Sequence, residues 1–339
     1  MKRIITVILS LAASLVVMAQ VRITTPETEL IIKADKGADL QILYFGARLS
    51  DADAANIEAA GVPGHSAYRA YGLWCASEAS LGVTHADGNL STSLKVESVM
   101  QSDVIDNSIV TKVVMKDAVY PFYVTVCYRA YQDVDMIETW TEIANLGKKP
   151  VTLTRFDSGY LPVRVGDVWL SHLHGTWAAE GLLVQEPLQR GMKVIKNKDG
   201  SRNSHTDHAE VMFSLDGKPQ ENTGRVIGAA LCYSGNYELR IDTRDTDYHE
   251  FYAGINPDNS SYKLESKEVF MTPELAFTYS DEGLSGASRN FHKWGRTYKL
   301  AHGDKLRKIL LNSWEGVYFD INEPGMDQMM ADIASMGGE

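Results

Sequence analysis

The chain has no excess of positive charge. Its 33 Lys and Arg are outnumbered by 44 Asp and Glu, for a formal net charge of −11, and no basic stripe breaks the balance. Nucleic-acid binding depends on clustered Lys and Arg that displace counterions from phosphates, so the sequence excludes a nucleic-acid partner. An acidic surface suits a neutral ligand without pointing to one. Cysteine is scarce: Cys75, Cys127 and Cys232 are the only three. They are far apart and no C-x-x-C spacing occurs, so they form neither a disulfide framework nor a zinc motif. They read as buried thiols. Beyond the N-terminus no apolar run approaches the roughly 20 residues of a membrane span. A nucleophile elbow, a P-loop and a dinucleotide fingerprint are all missing. The glycine-rich spots are isolated turns, and nothing calls for a cofactor.

What is present begins with a leader. Lys2 and Arg3 precede an apolar run over residues 4–18, and Val17-Met18-Ala19 offers a cleavage site. This is the n-, h- and c-region pattern of a secretory signal peptide. Residues 1–19 are expected to be removed on export to the periplasm or beyond, leaving no membrane span. From residue 20 to about 285 the pattern is β. Ser108-Ile-Val-Thr-Lys-Val-Val-Met115, Phe122-Tyr-Val-Thr-Val-Cys-Tyr128, Val151-Thr-Leu-Thr-Arg155 and Val226-Ile-Gly-Ala-Ala-Leu-Cys-Tyr233 are runs of the Val, Ile, Thr, Tyr type, separated by Asp-Gly, Ser-Gly and Asn turns. Many strands with few helical stretches predict a large β-sandwich. Near residue 285 the texture changes. Phe291, Trp294 and Tyr298 recur at helical spacing, which predicts a linker helix within 286–305. Residues 308–311 (Lys-Ile-Leu-Leu) form a continuous run suited to a strand buried on both faces. Met329, Met330, Ile333 and Met336 share one side of a predicted helix over 326–336, closed by Gly337-Gly338. Residues 306–339 therefore read as one βα unit. A (β/α)8 barrel needs about 250 residues, so the barrel is expected to be truncated here.

A series of short stretches, in order, resembles glycoside hydrolase family 36, the α-galactosidases built from a β-supersandwich followed by a (β/α)8 barrel. His85-Ala-Asp-Gly-Asn-Leu-Ser91 resembles the family's H-A-D-G-N segment, and Leu173-His-Gly-Thr-Trp-Ala-Ala-Glu180 its L-x-G-x-W-x-x-E segment. Asp199-Gly-Ser-Arg-Asn-Ser-His205 is similar to R-G-x-S-S-H. Tyr233-Ser-Gly-Asn236 with Ala253-Gly-Ile-Asn-Pro257, Phe270-Met-Thr-Pro-Glu274 with Tyr279-Ser-Asp-Glu-Gly283, and Leu311-Asn-Ser-Trp-Glu-Gly-Val-Tyr-Phe-Asp320 complete the series. The resemblance covers about residue 40 to 339. It implies a retaining mechanism, in which one aspartate attacks the anomeric carbon and a second protonates the leaving oxygen across about 5–5.5 Å. In the family both follow a D-D-G-W-F segment, which would begin just past Glu339. No catalytic residue is therefore expected in this chain. The implied substrate is an α-galactoside oligosaccharide. The implied function is that of the N-terminal portion of an α-galactosidase, with α-N-acetylgalactosaminidase or transglycosylase activity as neighbours within the family. A sandwich fragment that only binds carbohydrate or a partner is the rival from another class. A homo-oligomer is compatible with the resemblance.

One substrate-binding residue carries over. Trp314 stands where the family places a tryptophan at the end of the first barrel strand, beside the galactose pocket. Its indole offers an apolar face and an N–H donor to a sugar. Trp177 lies in a family motif and is expected in the sandwich core. His172, His174, His205 and His208 have a loose zinc-like spacing, but they fall in motifs of a family that needs no metal. Asp51 and Asp53 read as part of a solvated loop over 49–60, and Glu315 and Asp320 as hydrogen-bonded structural acids.

Overall fold

Period-two alternation buries one face of a strand and leaves the other to water, and it accounts for most of this architecture. The computed structural model describes residues 20–59, 64–72, 77–201, 206–245 and 247–338. The chain divides into two units, Met1–His292 and Lys293–Glu339. The expected leader, 1–19, lies outside the described residues.

The first unit begins with β1 (Gln20–Thr24), β2 (Thr28–Lys33) and β3 (Gln41–Ala47), then helix α1 (Asp51–Ala59) and the short β4 (His65–Ser66). β5 (Leu81–Thr84) precedes a meander of β6 (Leu94–Gln101), β7 (Ser108–Asp117), β8 (Phe122–Tyr131) and β9 (Ile137–Asn145). The long β10 (Val151–Val163) is followed by β11 (Trp169–Thr176), β12 (Ala179–Pro187), β13 (Gly191–Lys196), β14 (Asp207–Ser214) and β15 (Val226–Leu231). The last strands are β16 (Tyr237–Asp245), β17 (Tyr248–Ile255), β18 (Tyr262–Leu264), β19 (Glu268–Met271) and β20 (Leu275–Ser280). They sort into three antiparallel sheets. One runs β1-β2-β3-β4. A second runs β13-β16-β17-β10-β18, with β5 on β10. The third runs β12-β11-β14-β15-β20-β9-β8-β7-β6, with β19 on β9. This is the mainly β sandwich that the sequence predicts.

The inner faces of the sheets meet in one core. In β8, Phe122, Val124, Val126 and Tyr128 are buried while Tyr123 and Thr125 are not. Phe213 of β14 meets Phe251 of β17 edge-on at 5.2 Å, and Phe45 of β3 meets Phe277 of β20 at 5.1 Å. Each such ring is worth about 1.5–3 kcal/mol on burial. The outer face of the six-stranded sheet is charged instead. Arg240 bonds Asp157 at 2.5 Å and Glu78 at 2.9 Å, and Arg155 bonds Glu238 at 3.1 Å. Arg69 bonds Glu250 at 2.5 Å, and the hydroxyls of Tyr160 and Tyr248 donate to the same carboxylate. Burial pushes Asp157 above the usual carboxylate range despite Arg240. Burial pushes Glu250 the same way, but Arg69 and Tyr248 outweigh it and hold that carboxyl below its ordinary value. The network clamps residues 65–72 and 77–80 onto the sheet, and removing one partner would leave an uncompensated buried charge.

Helix α2 (Gly283–Trp294) continues into a π-helical turn, Gly295–Lys299. The expected helix is therefore present but begins earlier and changes pitch. Within the first unit, a Cβ on Gly228 of β15 would come within 2.8 Å of Phe291. A residue without a side chain lets the helix lie directly on the sheet.

Two readings need correction. Residues 49–60, expected as a loop, contain α1. Ser50 Oγ accepts from the Asp53 N–H at 3.2 Å and donates to the Asp53 carboxylate at 2.7 Å. This is N-cap chemistry, and Asp51 pairs with Arg22 at 2.6 Å. In the second unit, residues 306–313 carry no strand. A strand exists by pairing, and no second strand is present among the described residues of that unit. The chain continues into a short helix α3 (Trp314–Val317) and then α4 (Glu323–Ser335), close to the predicted helix. Asn322 caps α4, accepting from the Gly325 N–H at 2.9 Å. No described helix is long and apolar enough to cross a membrane.

Candidate functional site

Most of the motif segments hold turns together. The His85 ring is buried, stacked on Tyr120 at 3.8 Å, and its Nε2 lies 2.9 Å from Thr92 Oγ1. Tyr120 donates to Asp87 at 2.8 Å, and Gly88 takes the left-handed φ of +88° that the turn demands. Three asparagines tie the loops around β16 and β17 together. Asn236 accepts from the Gly200 N–H, Asn197 donates to Gly235 O, and Asn256 donates to Asn197 O. Thr272 Oγ1 accepts from the Thr141 N–H at 2.9 Å, and Glu274 pairs with Arg129 at 3.1 Å. These polar side chains keep irregular backbone satisfied. They are not arranged for chemistry.

Two tryptophans in the motifs are different, because each is turned toward solvent. Trp314 opens α3 in the second unit. Its backbone N–H donates to Asn312 Oδ1 at 3.0 Å, and its ring is braced edge-on by Phe319 at 4.9 Å and Tyr318 at 5.5 Å. Tyr318 has a left-handed φ of +47°, which turns the chain so that both rings reach back to the indole. Trp314 keeps 44 % of its surface exposed. Nearby, Glu315 and Asp320 are both exposed. Glu315 has the Tyr318 hydroxyl at 3.5 Å, so neither acid is the well-bonded structural group expected. A braced indole can stack on the C–H face of a sugar.

Trp177 overturns its expectation. It is 81 % exposed at the turn of the β11–β12 hairpin, not in the core. The turn lies beyond the last residue paired with β14, where His174 meets Asp207 and the Gly175 N–H donates to Thr206 O at 2.7 Å. Gly175 allows the tight reversal, since a Cβ there would meet Ala179 O at 2.6 Å. Ala178 adopts φ +60°, and its N–H donates to Glu180 at 3.1 Å. Glycine, tryptophan and glutamate of this motif thus sit together at one hairpin turn.

The histidines are dispersed. His172 is buried with Glu186 at 3.5 Å, and its imidazolium form is disfavoured by burial and by Lys193. His174 is exposed beside Asp207 at 3.3 Å, and His208 faces Glu210 at 3.0 Å. His205 lies outside the described residues. Among the described residues no group of three or more His, Cys, Asp or Glu is placed to hold a metal ion. Cys127 is buried, which pushes its thiol well up. Cys232 is exposed, contrary to expectation, and Cys75 lies outside the described residues. Asp51 lines a shallow groove of about 460 Å³ with Arg22, Arg48 and Ser50.

Comparison with known proteins adds to this geometry. A family model described as the glycosyl hydrolase family 36 N-terminal domain matches residues 38–265, and one described as melibiase matches residues 269–339. The α-galactosidase AgaA of Geobacillus stearothermophilus is 32 % identical over 231 residues, covering 67 % of this chain and 31 % of that protein. The α-galactosidase Mel36A of Lactobacillus acidophilus is 30 % identical over 229 residues, with the same shares. The aligned stretch thus covers about a third of the length of these relatives. The crystal structure of AgaA aligns with a TM-score of 0.84 at 23 % identity, over 94 % of this chain and 49 % of that one. The galactosidase domain of the α-galactosidase–sucrose kinase AgaSK aligns at 0.86 and 22 % identity, over 96 % and 50 %. At that identity the structural likeness establishes the fold.

Proposed function

Because this chain belongs to glycosyl hydrolase family 36, we propose that it is the N-terminal portion of a retaining α-galactosidase that removes terminal α-linked galactose from oligosaccharides. The observation that carries the reading is the pair of family matches, which run from residue 38 to 339 almost without a gap and end in the segment that holds Trp314. Substituted variants of AgaA have been solved with raffinose and with stachyose, and sugars of that class are the proposed substrates. Residues 20–285 form the supersandwich, 286–305 the linker and 306–339 the first unit of the catalytic barrel. In the assembled barrel, residues 308–311 pair as its first strand and bring Trp314 to the rim, where barrel active sites lie. The two aspartates of the reaction are supplied by later barrel strands, and none of residues 1–339 is assigned to them. Residues 1–19 direct export.

The reading is tested on the chain and on its reading frame continued through the later strands. The 339-residue chain is expected to give no turnover of an aryl α-galactoside above background. The continued protein is expected to cleave it and to leave the matching α-N-acetylgalactosaminide largely intact. In that protein Trp314→Ala should lower kcat/KM by about 1–3 kcal/mol of transition-state binding. Activity in the short chain, free of host enzyme, would sink the assignment of the aspartates. An unchanged kcat/KM would remove Trp314 from the pocket.

A further inference from the structure

Gln20, the first residue of β1, is already part of the sandwich. It stands opposite Lys33 of β2, and its carboxamide Nε2 donates to the carbonyl of Ala54 in α1 at 3.0 Å. It lines a groove of about 350 Å³ together with Ala54 and Ala55 of α1 and Val99 of β6. Arg22 shares its face of the strand and is paired with Glu29 and Asp51. Lys33 has Asp35 at 3.6 Å. Both nearby cations therefore have carboxylate partners, and a further positive charge at this end of β1 meets like charges.

Export, as proposed above, supplies such a charge. Val17 and Ala19 occupy the third and first positions before Gln20, the small-residue pattern at which a leader is cut. The cut frees the α-amine of Gln20. An α-amine is a weaker base than a lysine side chain, so part of it is neutral and nucleophilic near neutral pH. In glutamine the side-chain amide carbon lies where that amine can close a lactam ring on it. A nucleophile held this close to its target reacts as if at very high concentration.

We propose that Gln20 is a modification site: once the leader is removed, its α-amine closes on its own side chain, and the mature chain begins with a pyroglutamyl ring seated against α1. The amine nitrogen bonds to Cδ, the Cδ–Nε2 bond breaks, and Nε2 leaves as ammonia with a proton from the amine. No oxidant, metal or second substrate is needed. Closure removes the positive charge from the strand end beside Arg22 and Lys33. It also turns a flexible amide into a compact ring, for which the groove beside Ala54, Ala55 and Val99 has room. The bond from Nε2 to the Ala54 carbonyl is given up, so closure comes before Gln20 docks on α1. β1 is an outer strand of its sheet, and chain ends are where proteolysis concentrates. A ring without a free amine protects this end from enzymes that bind one. The inference rests on the export reading and not on the enzyme reading.

The test is mass spectrometry and Edman degradation of the full chain, leader included, expressed in a bacterial host and purified from the periplasm, with Gln20→Asn alongside. The N-terminal peptide of the parent is expected to begin at Gln20, to be lighter by one ammonia and to be blocked to Edman degradation. The blocked share should rise to completion on incubation at neutral pH. Gln20→Asn, whose shorter side chain cannot close the ring, should be cut at the same bond and be read freely. Pyroglutamyl aminopeptidase should release the ring at least tenfold more slowly from the folded chain than from its heat-unfolded form, because the ring is seated in the groove. A free Gln20 amine that persists on incubation overturns the proposal and leaves export standing, whereas a retained leader overturns both. A cut at another bond, a blocked Gln20→Asn chain, or equal release from folded and unfolded chains would each overturn the proposal as well.

Discussion

Val124 and Leu310 sit in equally apolar stretches of sequence, and their fates differ. Val124 in β8 is fully buried, paired with β7 and β9, and packed into the common core. Leu310 in the second unit is 84 % exposed, and Leu306 and Phe319 nearby are 98 % and 86 % exposed. Helix α4 has no buried residue. The first unit supplies every strand with a neighbour, whereas the second has an apolar run, two helices and nothing to pair with. An apolar run therefore specifies a need for cover, and whether the need is met depends on chain far away in sequence.

That contrast can be broken by substitution. The largest effect should come from Phe213→Ala, which opens a cavity against Phe251 and should cost about 3–5 kcal/mol in a urea melt. A loss below about 1 kcal/mol would mean that the two sheets are not joined where the rings suggest. A smaller effect should come from acid. The folded-state pKa values of His85, His172 and His249 are lowered by burial, and that of half-buried His65 likewise. A lowered folded pKa gives stability that is complete above the unfolded value of about 6.5 and is lost as pH falls below it, since protons then bind the unfolded chain first. Tm of the first unit should drop by a few degrees between pH 7 and 5, at about 2–4 °C per kcal/mol for a domain of this size. His249→Gln, which can keep the bond to Thr243, should flatten that slope, and an unchanged slope would place the effect elsewhere. The smallest effect should be that of Leu310→Ser, within about 0.5 kcal/mol of zero. A loss comparable to that of Phe213→Ala would show that the second unit is packed after all, and the comparison would fail.

Legibility in the sequence divides along the same line. β7, β8, β10 and β15 lie where period and composition put them, because β-branched alternation and turn residues are local signals. The helices expected within 286–305 and over 326–336 were also legible, each beginning a few residues earlier in the structure, whereas the cap at Asn322 was not read. The α1 helix was missed although Ser50 and Asp53 have capping spacing. It has no apolar stripe, only Ala54 being buried in its first turns, so helical periodicity gives no sign of it. The exposure of Trp177 was not legible, since burial depends on whether a third strand reaches the turn. The signal that could have shown it was Gly175, which only a tight reversal needs. Trp314 was found through its motif, and its exposure and bracing rings agree with a binding role without assigning one.

The position of β20 has a consequence for the order in which the molecule can assemble. It is the last strand among the described residues, yet it lies inside the ten-stranded sheet between β15 and β9. The meander β6–β9 and the group β11, β12, β14 and β15 can each form early, but nothing joins them until residues 275–280 are available. At roughly 5–20 residues per second of synthesis, the β9 edge waits about 7–27 seconds and the β15 edge about 2–10 seconds before Ser280 is made. A chain stopped before residue 275 never closes them. The sheet is thus built from both flanks toward a gap that the final strand fills, and pairing over such sequence distances is intrinsically slow.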